Sequence, residues 1–138
     1  MSQENVELVL AAFETYNARG MRATAREYHP PDVEYEVSPS WAIILGNKAL
    51  WHGREEVIAA YDEVESIMGL MVADVFEAVD AGDEVLVGFR ATGEGITSGA
   101  PVADRLWFAC RVKDRLINRI RMFESRTQAL EAVGLRDG

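Results

Sequence analysis

The sequence has few of the residues that build disulfide frameworks and metal sites. Its 138 residues include one cysteine, two histidines and four prolines. The single cysteine, Cys110, excludes an internal disulfide and is typical of a reducing compartment. His29 and His52 lie beside predicted turns, without the spacing of a zinc site. Since glycine motifs for dinucleotides and phosphates are also missing, we expect no metal and no cofactor.

Basic residues and long apolar runs are scarce too. The chain has 14 Lys and Arg against 23 Asp and Glu, a formal net charge of -9 at pH 7. Binding to nucleic acid or to anionic membranes needs a surplus of Lys and Arg, so we expect neither partner. The longest bulky apolar run, residues 41–45, is far shorter than the roughly 20 residues that span a bilayer. With no signal-like start, we expect a cytoplasmic protein.

The composition that remains is that of a folded globular protein. Apolar residues make up 49% of the chain and charged residues 27%, without repeats or low-complexity tracts. A chain of this length can enclose one hydrophobic core but not two. We therefore expect a single domain over residues 1–138.

The first half of the chain has helical periodicity. Apolar residues recur at three- and four-residue spacing from Val6 to Tyr16, and Gly20 ends this predicted helix. Residues 21–28 predict a second, short helix. A third helix is predicted from Gly53 to Gly69.

Between these helices, residues 32–37 alternate between apolar and acidic side chains and predict a half-buried strand. Residues 38–51 have no period, yet they include Trp41 and Trp51. We expect an apolar loop here, and the sequence leaves open whether it is a lid or a fixed part of the core.

The second half predicts an antiparallel meander of four strands. Turn residues separate the apolar stretches at 80–83, 93–101 and 113–115. Ser125 and Gln128 have the spacing of a capping box, which predicts a last short helix. Helices gathered on one face of a curved antiparallel sheet give an α+β fold.

Alternation in the last two strands predicts which side chains face the helices. In the third strand of the meander the apolar face consists of Leu106, Phe108, Cys110 and Val112. In the fourth strand, alternation predicts an inner set of Asn118, Ile120, Met122 and Glu124, and an outer set of Ile117, Arg119, Arg121 and Phe123. Burial on the inner face would raise the pKa of the Cys110 thiol and leave it unreactive.

A bent sheet over helices leaves a hollow at its open end, the kind of place where small molecules bind. We expect the following residues to line such a pocket: Tyr16, Tyr35, Trp41, Trp51, Tyr61, Phe108, Ile120 and Glu124. Tyr16 and Glu124 are the candidate catalytic residues, since an enclosed carboxyl group acquires a pKa suited to acid or base work. The alternative is that the aromatic side chains simply fill the core.

Five segments, taken in order, carry a resemblance to a known family. They are residues 5–17, 29–35, 51–57, 80–85 and 129–135. Their order and spacing resemble those of the nuclear-transport-factor-2-like superfamily, and within it the SnoaL-like polyketide-cyclase branch. The resemblance implies a cone-shaped α+β (cystatin-like) fold with a central pocket, usually in a dimer. Members include isomerases, cyclases, hydrolases and dehydratases, so the fold does not choose the activity.

The resemblance does not extend to the catalytic residues of a ketosteroid isomerase. Where that enzyme has its carboxylate base, this chain has Val37, and its two oxyanion donors correspond to Ala12 and Phe108. Apolar side chains can supply neither a base nor a donor. The Arg-x-Asp spacing of a limonene-epoxide-hydrolase-like site is absent too, because Arg105 follows Asp104 directly.

The outer face of the sheet predicts a homodimer. It brings together Arg105, Trp107, Arg119 and Arg121, and arginine with aromatic residues is enriched at protein interfaces. A solvated arginine face is the alternative. For the function, the sequence favours a cofactor-free enzyme acting on a small hydrophobic molecule, with a non-enzymatic ligand-binding or dimeric interaction module as the alternative.

Overall fold

The computed structural model describes residues 2–93 and 105–135. The described helices are α1 (Ser2–Arg19), α2 (Met21–Tyr28), α3 (Pro39–Ile44), α4 (Arg54–Met68) and α5 (Arg126–Ala132). The described strands are β1 (Glu34–Glu36), β2 (Leu50–His52), β3 (Met71–Ala81), β4 (Glu84–Gly93), β5 (Arg105–Lys113) and β6 (Leu116–Phe123). Within these ranges, no helix has the length and hydrophobicity needed to cross a membrane.

The strands form one curved sheet in the order β2-β1-β6-β5-β4-β3. Strands β3 to β6 are the predicted antiparallel meander. The sheet is nevertheless mixed, because β1 runs parallel to β6 and pairs Tyr35 with Ile120. The expectation of a wholly antiparallel sheet is therefore wrong at this pair, where the open edge of the last strand accepts a strand from the first half of the chain. The turn expected at 93–101 lies almost entirely outside the described residues.

The sequence predicts a loop over residues 38–51, but these residues do not form one continuous loop. They contain the six-residue helix α3, with Pro39 in its first turn, and the strand β2. Proline suits the first turn of a helix because its missing N–H has no partner there. A helix of six residues and a strand of three are too short to show a period in the sequence. The backbone pairing of β2 fixes this segment to the sheet, since Trp51 of β2 lies opposite Tyr35 of β1.

A β-bulge changes the predicted faces of β6. The pairing shifts between Arg111 and Val112, so that Arg111 lies opposite Arg119 and Val112 opposite Ile117. Asn118 is the extra residue, and the period-two alternation breaks there. Ile117 consequently joins the core at 2% exposure, and Asn118 accepts a hydrogen bond from Arg111 Nε at 2.9 Å. The predicted inner position of Asn118 and outer position of Ile117 are both wrong.

The sheet is covered on both faces. The main core lies between the inner face and helices α1, α2 and α4, and it includes Val85, Val87 and Phe89 of β4. Leu86, which points to the opposite face of β4, packs with Ala129 and Leu130 of α5 in a second cluster. Helix α5 therefore covers the outer face, where the sequence predicted no helix. The predicted α5 cap is confirmed, because the Ser125 side chain accepts a hydrogen bond from Gln128 N.

The edge strand β3 is fastened to α1 by one side chain. Asn17 donates from Nδ2 to the carbonyl oxygen of Ala73 at 2.9 Å and accepts from the Ala73 N–H at 2.8 Å. The amide thus satisfies both polar groups of an edge-strand residue, which would otherwise be open. This contact holds the helix layer at a fixed position over the inner face.

Candidate functional site

A cavity lies between the inner face of the sheet and the helix layer. Its volume is about 90 Å³, and it is partly open to solvent. The wall includes six of the residues expected from the sequence: Tyr16, Tyr35, Trp41, Tyr61, Phe108 and Ile120. In the described part of the chain, the wall contains no Asp, Glu, Lys or Arg. The polar wall groups are the three tyrosine hydroxyls, Thr24, His29, the Trp41 indole and the Cys110 thiol.

Two of the expected residues lie elsewhere. Trp51 is buried beside Tyr35, with 6.1 Å between the ring centroids, but it is not part of the cavity wall. Glu124 lies in an open groove near α5 and accepts a hydrogen bond from Ser40 Oγ at 2.8 Å. It is separated from the cavity because β6 has ended at Phe123 and the chain turns toward α5. The structure thus brings the aromatic candidates together and leaves the carboxylate out.

The tyrosine rings of the wall contact one another without filling the space. Tyr61 lies between Tyr35 and Tyr16, with ring centroids at 5.2 and 5.6 Å. Tyr35 also makes an edge contact with Phe108 at 5.9 Å. These are favourable aromatic distances. The pocket and the filled core predicted as alternatives for these aromatic residues therefore both hold in part. The side chains pack in the core, and they also line a cavity.

The tyrosine hydroxyls are neutral donors. Burial raises the pKa of Tyr16 far above 10, and the charge of Glu65 raises it further. Burial likewise raises the pKa values of Tyr35 and Tyr61 well above the ordinary 10. Because the neutral form persists, the wall can offer O–H groups to a ligand but no phenolate.

Trp41 contributes a donor that has no partner. Helix α3 places this residue in the cavity wall, where its side chain is only 3% exposed. Within the described residues, its Nε1 is sealed from solvent and hydrogen-bonded to nothing. An unpaired buried donor costs about 1–3 kcal/mol.

His29 is a wall residue that the sequence analysis did not select. It follows α2 in an extended conformation and is 2% exposed. Its Nδ1 lies 2.9 Å from the carbonyl oxygen of Ile117, which can only accept, so Nδ1 carries the proton. The peptide oxygen of His29 accepts from Arg54 Nη2 at 2.7 Å. The sequence feature that could have indicated His29 is its position between a helix and two prolines. Its inward-facing side chain could not be predicted, because that direction depends on packing across the sheet.

The environment of His29 keeps the imidazole uncharged. Burial lowers its pKa below the ordinary 6.5, and the Arg54 charge lowers it further, against an opposing effect of the bond to Ile117. Cys110, also in the wall, has a raised pKa because of burial and then the Glu84 charge, so it remains a thiol. A thiol without base activation is a poor nucleophile. Among the described residues, no cluster of three or more His, Cys, Asp and Glu could hold a metal ion.

The outer face, predicted as a dimer interface, is partly occupied by the chain itself. Trp107 is 9% exposed and packs in the α5 cluster. Arg119 and Arg121 both form ion pairs with Glu84, at 3.3 and 3.0 Å. Arg105 remains exposed, with its guanidinium carbon 4.7 Å from the Phe76 ring centroid. Only part of the predicted surface is therefore free for a partner.

Comparison with solved structures relates this architecture to known proteins. A candidate SnoaL-like polyketide cyclase from Jannaschia sp. CCS1 has 22% sequence identity and a TM-score of 0.68, covering 98% of this chain and 94% of that one. A candidate polyketide cyclase from Sinorhizobium meliloti has 20% identity and a TM-score of 0.67, covering 89% and 99%. TerC, co-crystallised with polyporic acid, has 18% identity and a TM-score of 0.72, covering 94% and 98%.

Sequence comparisons alone do not place the chain. No protein-family model matches it, and neither does any curated protein sequence. Structural likeness remains clear at these low identities, because a fold is retained after sequences diverge. The matches extend to proteins described as NTF2-like, SnoaL-like and ketosteroid isomerase-like in fold. The chain thus has the α+β fold that the sequence resemblance predicts, that of the nuclear-transport-factor-2-like superfamily with its SnoaL-like proteins.

Proposed function

We propose that the protein binds a small, uncharged, mainly apolar molecule in the cavity. The observation that carries this proposal is the wall itself, which is apolar and aromatic and has no formally charged side chain among the described residues. A charged ligand would lose its hydration there without gaining an ion pair. Apolar walls with a few polar groups are typical of small-molecule sites.

The size of the cavity limits the part of the ligand that is enclosed. A dry cavity of about 150 Å³ accepts benzene. The present cavity, at about 90 Å³, is smaller but partly open, so that a ligand can extend through the opening. The tyrosine hydroxyls of the wall favour a ligand with at least one acceptor oxygen. The class is therefore a weakly polar ring or chain compound rather than a salt or a sugar.

The test is the binding of benzene to the labelled protein, followed by amide chemical shifts. We expect shifts confined to residues around the cavity, and a weakening of at least tenfold in Ala12→Leu, which fills the wall at Ala12. Ala18→Leu adds the same atoms at an exposed position of α1 and should leave binding unchanged. Native mass spectrometry of freshly purified protein would identify a natural ligand. Absence of any benzene-dependent shift in the wild type refutes the proposal.

Within this proposal, a cofactor-free isomerase, cyclase or hydrolase is favoured over a simple binding protein. Support comes from the solved relatives, of which two are candidate polyketide cyclases and one, TerC, was crystallised with polyporic acid. The uncharged imidazole in the wall is a second support, since acid–base work near neutral pH needs such a group. Incubation with a co-purified compound decides between the two, because an enzyme converts it and a binding protein returns it unchanged.

We also propose a homodimer that pairs through the free part of the outer face. Phe76 is 44% exposed there, under the Arg105 guanidinium. Because α5 already covers Trp107, the pairing surface is the β3 side of this face. Sedimentation at micromolar concentration should give a dimer that Phe76→Glu dissociates. A wild-type monomer contradicts the proposal.

We infer a cytoplasmic location for the protein. The support is a single cysteine, buried and free, together with an acidic charge balance. Fractionation of cells that express the full chain tests it, with recovery in the membrane or secreted fraction as the contrary result.

A further inference from the structure

We propose that Nε2 of His29 is the hydrogen-bond acceptor of this cavity and that it selects ligands carrying a hydroxyl group. The inference rests on the proposed function, since it assigns one polar contact inside the same cavity. It adds a chemical class, small apolar alcohols, enols and phenols, to the general description of a weakly polar ligand.

The orientation of the imidazole follows from its other nitrogen. Nδ1 donates to the carbonyl oxygen of Ile117 at 2.9 Å, which fixes both the ring plane and the tautomer. Nε2 then has no hydrogen and presents a lone pair. Ile117 occupies its inward position only because of the β-bulge beside Val112, so the strand irregularity and the ring orientation belong together.

Nε2 of His29 is the ring nitrogen that the fold leaves unused. Among the described residues, none forms a hydrogen bond to it. The buried side-chain nitrogens sealed off without a partner are those of Trp41, Arg54, Arg119 and Arg121, and Nε2 of His29 is not one of them. Since His29 is a residue of the cavity wall, its unsealed Nε2 can accept a hydrogen from a ligand there.

The remaining wall groups make His29 the strongest acceptor. Thr24 Oγ1 donates to the carbonyl oxygen of Gly20 at 2.8 Å. The hydroxyls and the Trp41 indole have hydrogens to donate, whereas Nε2 has only a lone pair. A ligand with an O–H group can therefore donate to His29 and accept from a neighbouring wall group at the same time.

The contact is a hydrogen bond between neutral groups. Nδ1 of the ring is bonded to the carbonyl of Ile117, and the guanidinium of Arg54 lies at the peptide oxygen of His29; burial and this charge hold the pKa of His29 below its ordinary 6.5. A phenolic hydroxyl titrates near 10, as in tyrosine. The proton therefore stays on the bound ligand, and the expected gain is about fivefold in affinity, the usual net effect of one neutral hydrogen bond.

The experiment compares phenol with benzene, which has the same ring and lacks the hydroxyl. The full chain is labelled with ¹⁵N in its two histidines, and the ring nitrogens are followed by NMR. We expect phenol to move the Nε2 signal of His29, benzene to leave it near its position, and exposed His52 to respond to neither. Phenol should bind about fivefold more tightly than benzene.

His29→Asn is the matched variant, because the Asn amide can still donate to the carbonyl of Ile117 but has no nitrogen lone pair at the Nε2 position. Benzene affinity should stay within twofold, and the preference for phenol should disappear. If both compounds bind the wild type without a shift of Nε2 and without a preference, the inference is overturned and the proposed function stands. If neither compound binds, the proposed function fails and the inference fails with it.

Discussion

The two faces of the sheet handle polar groups in opposite ways, although the same strands supply both. On the inner face, the polar groups of the cavity wall are neutral, and burial shifts the pKa values of His29, Tyr35 and Tyr61 in the direction that keeps them so. On the outer face, Glu84 is 8% exposed and takes ion pairs from both Arg119 and Arg121.

The difference shows what each face can be used for. On the outer face the charges of Glu84, Arg119 and Arg121 are paired within the chain, although Nε of both arginines is sealed without a hydrogen-bond partner among the described residues. The inner face has a donor at Trp41 and an acceptor at His29 without partners in the described residues. On the inner face, the proposed ligand would give the acceptor of His29 a partner. Substitutions on each face test the contrast.

The largest effect is expected from Phe108→Ala on the inner face. Phe108 is 7% exposed and contacts Phe13, Phe89 and Tyr35. Removal of the ring should lower the free energy of unfolding by about 3 kcal/mol, as for other core phenylalanines, and should enlarge the cavity. Urea denaturation measures the loss. Phe123→Ala, at a half-buried outer position, should cost about 1 kcal/mol.

Equal losses of unfolding free energy in Phe108→Ala and Phe123→Ala would contradict the contrast between the faces. Benzene binding is a second test of this contrast, because a larger cavity should admit benzene more readily. Phe108→Ala should therefore bind benzene at least as tightly as the wild type, in spite of its lower stability.

A smaller effect is expected from Glu84→Gln on the outer face. The change removes the common partner of Arg119 and Arg121, whose side chains are 31% and 21% exposed. Breaking a buried pair costs about 3–5 kcal/mol, and partial solvent access to both arginines reduces this to about 2 kcal/mol. Glu56→Gln removes an exposed pair with Lys48 and should cost much less than Glu84→Gln. Urea denaturation of both variants at one pH compares them.

If Glu84→Gln is as mild as Glu56→Gln, the outer face does not depend on its charge pairing. Benzene binding is the second measurement, and it should be unchanged in Glu84→Gln because Glu84 is not part of the cavity wall.

The elements that could be predicted from the sequence are those whose signals are local. The stripe of α1, the positive φ of Gly20 and Gly69 at helix ends, and the Ser125 cap each depend on residues a few positions apart. The inner position of Ile117 could not be predicted in this way, because the bulge that produces it is a property of two paired strands.

The residues of the candidate site differ in the same way: some have a local signal in the sequence and others do not. Tyr16 and Tyr61 face inward because they belong to the apolar stripes of long helices, which a sequence shows directly. His29 faces inward because the carbonyl of Ile117, 88 residues away along the chain, accepts its Nδ1 hydrogen. Glu124 was predicted by extending the alternation of β6 beyond Phe123, where the strand ends. Period alone does not reveal where a strand stops.

The smallest effect is expected from Trp41→Phe, which tests the unsatisfied inner face most directly. The change removes side-chain volume, which costs stability, and it also removes the unpaired Nε1 donor, whose burial costs about 1–3 kcal/mol. The two effects oppose each other, so we expect a net change below about 1 kcal/mol in urea denaturation. Trp51→Phe is the matched control, because Trp51 is equally buried at 5% exposure but its indole nitrogen is not one of the sealed, unpaired atoms. That variant loses the same volume without relief and should cost about 1 kcal/mol more than Trp41→Phe. Equal losses would mean that the unpaired Trp41 donor does not lower the stability of the protein.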